Sequence, residues 1–196
     1  YTNGSGIVDS NGWKIGSYTD GSSSWHGMIN DVAIWDSVLT ANEITALYNS
    51  GLPLLPTADS GNYASADDLA GYWRNDGVTT WLDKANTGVA SFDGVNDNLN
   101  LDGFNFSGNQ ATFSFWVNLN TIETTFLIDL NPNRFIIGLS DPDTHLGVYD
   151  GSSWKFFGAL SAGVWSNLVI VLNNTTASAY VNGSQLGSDQ TITAIN

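Results

Sequence analysis

Ala111-Thr112-Phe113-Ser114-Phe115-Trp116-Val117-Asn118-Leu119-Asn120 is the stretch that decides the fold class. Phe113, Phe115 and Val117 alternate with Thr112, Ser114 and Trp116, and a period of two over this length predicts a strand with one face in a core. Further strands are expected at short intervals downstream: Thr125 to Ile128, Arg134 to Leu139, His145 to Tyr149, Trp154 to Phe157, Trp165 to Leu172, and Ser178 to Val181. Turn signals separate them, namely Asn131-Pro132-Asn133, Asp141-Pro142-Asp143, Asp150-Gly151 and Asn173-Asn174. Strands this short and this regularly spaced predict an all-β sandwich or barrel of antiparallel sheets rather than βαβ units.

Upstream, strands are expected near Gly6 to Val8, Trp13 to Ser17 and His26 to Trp35, where Met28, Val32 and Ile34 form an inward set interrupted at Asn30-Asp31. Thr40-Ala41-Asn42-Glu43 then opens one short helix through a capping box. Ile44, Leu47 and Tyr48 supply its apolar stripe, and Gly51 with Pro53 ends it. Residues 52 to 68 combine proline with small polar residues and show no periodicity, so they read as a linker. Leu69 to Trp73 begins a new set of strands, followed by Val89 to Phe92 and Asn98 to Leu101.

Composition narrows the partners. Of 196 residues, 19 are acidic and 5 basic, for a formal charge of -14. The five cations are scattered singly, so no basic stripe exists for nucleic acid, and anionic lipid is disfavoured as well. No apolar run approaches a membrane span, and no signal peptide opens the chain, so membrane insertion is not expected. With 42% hydrophobic residues and eight Trp, the chain has the material for a core. Zero cysteines removes disulfides and thiolate chemistry, and leaves the compartment open. A start at Tyr1 with no initiator Met reads as a fragment or processed product of something longer.

Tyr1-Thr2-Asn3-Gly4-Ser5 returns as Tyr180-Val181-Asn182-Gly183-Ser184, and Asn-Gly between strand-like residues favours a hairpin turn. Phe92-Asp93-Gly94-Val95-Asn96-Asp97 with Leu99 and Leu101, then Ala111 to Val117, then Trp165-Ser166-Asn167-Leu168-Val169-Ile170-Val171, then Ala179 to Gly183, resembles the ordered motifs of a laminin G-like, concanavalin A-like jelly roll. Gly27 to Trp35, followed by Leu39 to Ile44 and Leu47 to Gly51, resembles the closing strand and terminal helix of the same family. The resemblance implies an antiparallel β-sandwich with one short helix, and places Trp13, Trp35, Trp116 and Trp165 on core positions.

The order is displaced: residues 1–51 resemble the C-terminal part of such a domain, 52–68 a linker, and 69–196 the N-terminal part of the next. A half sandwich exposes its inner face and edges. Residues 1–51 therefore complete 69–196 within the chain, the favoured arrangement, or neighbouring copies complete each other, or the chain is part of a longer tandem array.

The fold family also includes glycoside hydrolases, which need paired carboxylates across a cleft. No Glu-x-Asp-x-x-Glu run occurs, the two glutamates are Glu43 in the cap and Glu123 in a loop, and His26 and His145 lack a nucleophile motif. No catalytic residue is assigned, and the protein is not expected to be an enzyme.

Calcium is a candidate cofactor, because Asp93, Gly94, Asn96 and Asp97 crowd oxygen ligands into one loop. In similar domains such a loop pairs with an acidic residue of the closing strand, which implies Asp31. Trp25, Tyr149 and Trp154 lie in or beside loop-like stretches and are candidate rings for stacking on a glycan, against the alternative that aromatics serve core and protein contacts. Five Asn-x-Ser/Thr sequons, at Asn3, Asn105, Asn173, Asn174 and Asn182, follow from composition alone.

The function expected is a non-catalytic structural or interaction module of a tandem-repeat surface protein, in a phage virion or a secreted bacterial protein, contacting other copies of itself or neighbouring surface proteins. The rival is a calcium-dependent carbohydrate-binding module. Either places the chain outside the cell or on a virion surface.

Overall fold

The computed structural model describes residues 13–18, 23–74, 90–95, 97–101, 108–130, 135–140 and 144–193. The strand expected at Gly6 to Val8, the first copy of the Tyr-x-Asn-Gly-Ser repeat and Asn96 lie outside them.

Fourteen strands and one α-helix are described. In chain order they are β1 (Trp13–Ile15), β2 (His26–Trp35), α1 (Ala41–Tyr48), β3 (Leu69–Trp73), β4 (Ala90–Asp93), β5 (Leu99–Leu101), β6 (Gln110–Leu119), β7 (Thr125–Asp129), β8 (Ile136–Ser140), β9 (His145–Tyr149), β10 (Trp154–Gly158), β11 (Trp165–Asn173), β12 (Thr176–Val181), β13 (Ser184–Gln185) and β14 (Gln190–Thr191). They form two antiparallel sheets. One has the order β10-β9-β8-β7-β1-β5; the other runs β13-β12-β11-β6-β2-β3, with β4 also on β2 and β14 on β12.

The alternation in β6 works as its sequence predicts: Phe113, Phe115 and Val117 are buried between the sheets. They meet Leu168 and Ile170 of β11 and the inner residues of the opposite sheet, Leu127, Ile137, Leu139, Leu146 and Val148. Trp13 and Ile15 enter the same core from β1, and Ile29, Val32 and Ile34 enter it from β2.

Two expectations about facing fail for reasons of local geometry. In β2 the inward residue before the interruption is Ile29, not Met28. The pairing of β2 with β6 shifts register between Asn30 and Ala33, and Asp31 there has φ +45°. A bulge adds one residue and so flips the side-chain parity, placing Ile29 on one side of it and Val32 and Ile34 on the other on the same face. Trp165 is not a core residue: it is 38% exposed. It shares its face of β11 with Asn167, Val169 and Val171, which point away from the sandwich interior. Trp116 likewise sits on the outer face of β6.

α1 is capped as expected, with Thr40 Oγ1 accepting from Glu43 N and the Glu43 carboxylate accepting from Thr40 N. The helix lies on the outer face of the eight-stranded sheet. There Ile44 and Leu47 bury against Ala33, Trp35, Val169 and Val171 to make a second, smaller core. Residues 52–68 do not run free. Tyr63 is buried in that core, accepts a hydrogen bond from Trp35 Nε1 at 2.9 Å and donates one to the Pro56 carbonyl at 2.7 Å. Among the described residues no helix is long and apolar enough to cross a membrane.

Candidate functional site

The outer face of the six-stranded sheet carries a band of aromatic rings. Its foundation is a row across β7, β8, β9 and β10 in which Phe126 pairs with Gly138, Gly138 with Gly147, and Gly147 with Phe156. The two glycines are required by the rings. A Cβ on Gly138 would stand 2.8 Å from Phe126 Cδ1 and 2.6 Å from the Thr125 carbonyl oxygen, and one on Gly147 would stand 2.8 Å from Phe156 Cδ1. Both phenyl rings therefore fold inward over bare backbone.

Trp154 lies two residues before Phe156, so β-strand alternation puts both on this face. Its ring is parallel to that of Phe156 to within 7° at a centroid distance of 5.9 Å. It also reaches Phe126 at 5.6 Å and Tyr149, its cross-strand partner, at 5.8 Å. Tyr18 extends the band beyond Phe126, edge to face at 5.8 Å. All five rings are half-buried.

Two of the three rings expected to stack on a glycan, Tyr149 and Trp154, are thus brought together. The third, Trp25, is not part of the band. It is 1% exposed and belongs to the core between the sheets, with its backbone N–H bonded to the Gly16 carbonyl at 2.7 Å. Tyr18, Phe126 and Phe156 complete the set without having been singled out. The Trp154-x-Phe156 spacing was the available signal for Phe156. Phe126 and Tyr18 join only through the strand order, which no local pattern encodes.

The β9–β10 turn beneath the band is held by Asp150. Its Oδ1 accepts from Ser152 N, Ser153 N and Ser152 Oγ, and its Oδ2 accepts from Thr193 N at 3.0 Å. Burial pushes this carboxyl up. The hydrogen bonds from Ser152, Ser153 and Thr193 outweigh it and hold the group well below the usual carboxylate range.

The residues considered for calcium lie at two places. Asp93, at the end of β4, pairs with His26, whereas Asp31 stands five residues further along β2 in the bulge. Asp31 Oδ1 accepts from the Tyr72 hydroxyl at 2.5 Å, with Arg74 Nε 3.7 Å away. Asp93 Oδ1 accepts from Val95 N at 2.8 Å, and Asp97 Oδ2 accepts from Asp93 N at 2.9 Å, so these carboxylates close the Gly94 turn. Among the described residues no three His, Cys, Asp or Glu side chains are grouped to hold a metal ion. The described donors do not fit one shared calcium site.

The two glutamates are committed elsewhere. Glu43 accepts from Thr40, Ala64 and Ser65; burial pushes it up, but those bonds hold it below its ordinary value. Glu123 is lowered by hydrogen bonds from Thr121 and His26, with His26 Nδ1 at 3.0 Å.

Two antiparallel sheets packed face to face with one outer helix define an all-β sandwich. The laminin G-like model of the concanavalin A-like lectin/glucanases superfamily matches residues 93–196, more than half of the chain, and the chain belongs to that family. No curated protein and no solved structure matches the chain.

Proposed function

We propose that this chain is a non-catalytic binding module of a surface-displayed, repeat-containing protein, and that its aromatic band stacks on the pyranose faces of a carbohydrate chain. The observation that carries the reading is the band itself. Five adjoining half-buried rings, two of them parallel within 7°, occupy one sheet face. Half-buried rings gathered on one sheet face favour a contact surface over packing. Flat rings in a fixed plane suit a flat apolar ligand face bordered by hydroxyls.

Support for a virion or secreted setting is compositional: an acid-rich, cysteine-free chain with a repeated hairpin pentapeptide. Support for a non-catalytic role comes from family membership and from the structural duties of Glu43 and Glu123. The test is affinity electrophoresis through gels containing soluble polysaccharides. Wild type should be retarded by at least one of them, and Trp154→Ala should lose about ten-fold in affinity or more with its circular dichroism unchanged. Equal retardation of the two proteins would remove the band from the site. Retardation by none of the polysaccharides, together with self-association abolished by Trp154→Ala, would make the band a protein contact instead.

A further inference from the structure

The opposite face of the molecule holds a second, separate cleft. α1 and residues 52–56 cover only part of the outer face of the eight-stranded sheet. At the margin of that cover, Asn30, Asp31, Gly51, Pro53, Trp116 and Trp165 line an open groove of about 300 Å³. Trp116 is its floor, held flat by stacking on Tyr48 at 5.9 Å, and the exposed Trp165 is its rim.

Sharing Asp31, Pro53 and Trp116 with this groove is a narrow slot of about 20 Å³, also lined by Tyr72, Ser114 and Asn167. That is room for one group the size of a water molecule. Asn167 is 1% exposed, and its Nδ2 donates to Ser114 Oγ at 3.2 Å. Its Oδ1 is buried with no hydrogen-bond partner. A buried acceptor left unpaired is costly, so the slot calls for a donor.

The groups in and around the slot agree on the donor's charge. Asn167 Oδ1 is an acceptor, Ser114 Oγ has a lone pair free to accept, and the Asp31 carboxylate is anionic. The ring faces of Trp116 and Trp165 are negative, and favour a cation and its alkyl stem. The chain's charge of -14 repels anions. Arg74, half-exposed with its Nε 3.7 Å from Asp31, already shows that this carboxylate faces a cation.

We propose that the cleft binds a primary alkylammonium group. The –NH3+ occupies the water-sized slot and donates to Asn167 Oδ1, Ser114 Oγ and Asp31, while the alkyl stem lies between Trp116, Trp165 and Pro53. A lysine side chain of a partner polypeptide and a free alkylamine share this chemistry.

The experiment is a titration of the full chain with n-butylamine and with Nα-acetyl-lysine amide, followed by tryptophan fluorescence and calorimetry. n-Butanol and a methyl glucoside serve as neutral controls. Saturable binding of either amine is expected, weakening with added salt. A tighter lysine amide would identify the source as a polypeptide, and a tighter butylamine as a free amine. Asp31→Asn should weaken binding about ten-fold. It suits the fold, because asparagine tolerates the φ of +45° found at Asp31. Arg74→Ala should tighten binding by removing the competing cation, an effect that a carboxylate with only a structural role would not give. Trp165→Ala, at the exposed rim, should weaken binding without touching the core. No saturation by either amine, an equal response to butanol or the glucoside, or unchanged binding in Asp31→Asn would overturn the proposal. None of these outcomes bears on the aromatic band, which lies on the other sheet.

Discussion

Asp150 shows how one residue can hold a binding surface in place. Its carboxylate accepts from Ser152, Ser153 and Thr193, tying the turn under Trp154 to the segment after β14. Asp150→Ala should cost about 1–3 kcal/mol, because four donors, Ser152 N, Ser152 Oγ, Ser153 N and Thr193 N, lose their acceptor. The folded pKa lies below the ordinary 3.8, so the native state binds fewer protons than the unfolded one. The contribution is therefore complete above that value and is lost as the pH falls through it toward the folded pKa. Urea unfolding at pH 6 and pH 3 should show the wild type's advantage over Asp150→Ala shrinking in acid; a constant difference would sink the assignment. Asp150-Gly151 was legible as a turn, but the bond to Thr193, 43 residues away, was not. Asp31 carries the same lesson for the site. Its acidity was plain, whereas the bulge that turns it toward Tyr72 and away from Asp93 depends on pairing with β6.

At the scale of elements, alternation was readable wherever one strand sufficed, as in β6, and failed where two strands had to agree. Met28 was assigned inward because a period of two counted back from Ile34 and Val32 across the interruption at Asn30-Asp31 lands on it; the bulge there shifts the parity, and Ile29 takes the place. The segment 52–68 was misjudged for a related reason. Proline and small polar residues show no periodicity, yet a single aromatic residue anchors the stretch. Tyr63 fills the space beside Trp35 at a ring distance of 6.3 Å and bonds both Trp35 Nε1 and the Pro56 carbonyl. Tyr63→Phe keeps the ring but strands a buried donor and acceptor, so a loss of about 1–3 kcal/mol is expected. Burial pushes the Tyr63 phenol up to about 12 from an ordinary 10. A raised pKa means the native state holds the proton longer. This contribution is full below pH 10 and is lost as the pH rises toward 12. Denaturant midpoints across that range should fall more steeply for wild type than for Tyr63→Phe. Parallel curves would mean that Tyr63 does not anchor the segment.

At the scale of the whole molecule, the displaced order of motifs leads to a definite expectation about assembly. The family match covers residues 93–196, yet the strands on either side of its central β6 are β11 from within it and β2 from far outside it. In the other sheet, β1 stands between β5 and β7. Trp13, Ile15, Trp25, Ile29, Val32 and Ile34 from these early residues are all 1% exposed or less. Burying a large apolar side chain contributes about 1.5–3 kcal/mol, so six of them match the whole net stability of a typical domain of about 5–15 kcal/mol. Residues 69–196 alone would therefore expose the edge of β6 and an open inner face, and would aggregate. With β1 and β2 attached, β2 pairs with β6 and β1 with β5 and β7 of the same chain, so a monomer is the expected outcome. Light scattering after size-exclusion chromatography should give the mass of one chain over a wide concentration range. Proteolytic nicking beside the exposed Leu52 should leave the two parts co-eluting, because the β2–β6 and β1–β7 ladders hold them together. A ring or polymer, or separation of the nicked parts without denaturant, would mean instead that neighbouring copies supply each other's strands. The protein's central activity would then be assembly, with the aromatic band and the cleft repeated along it.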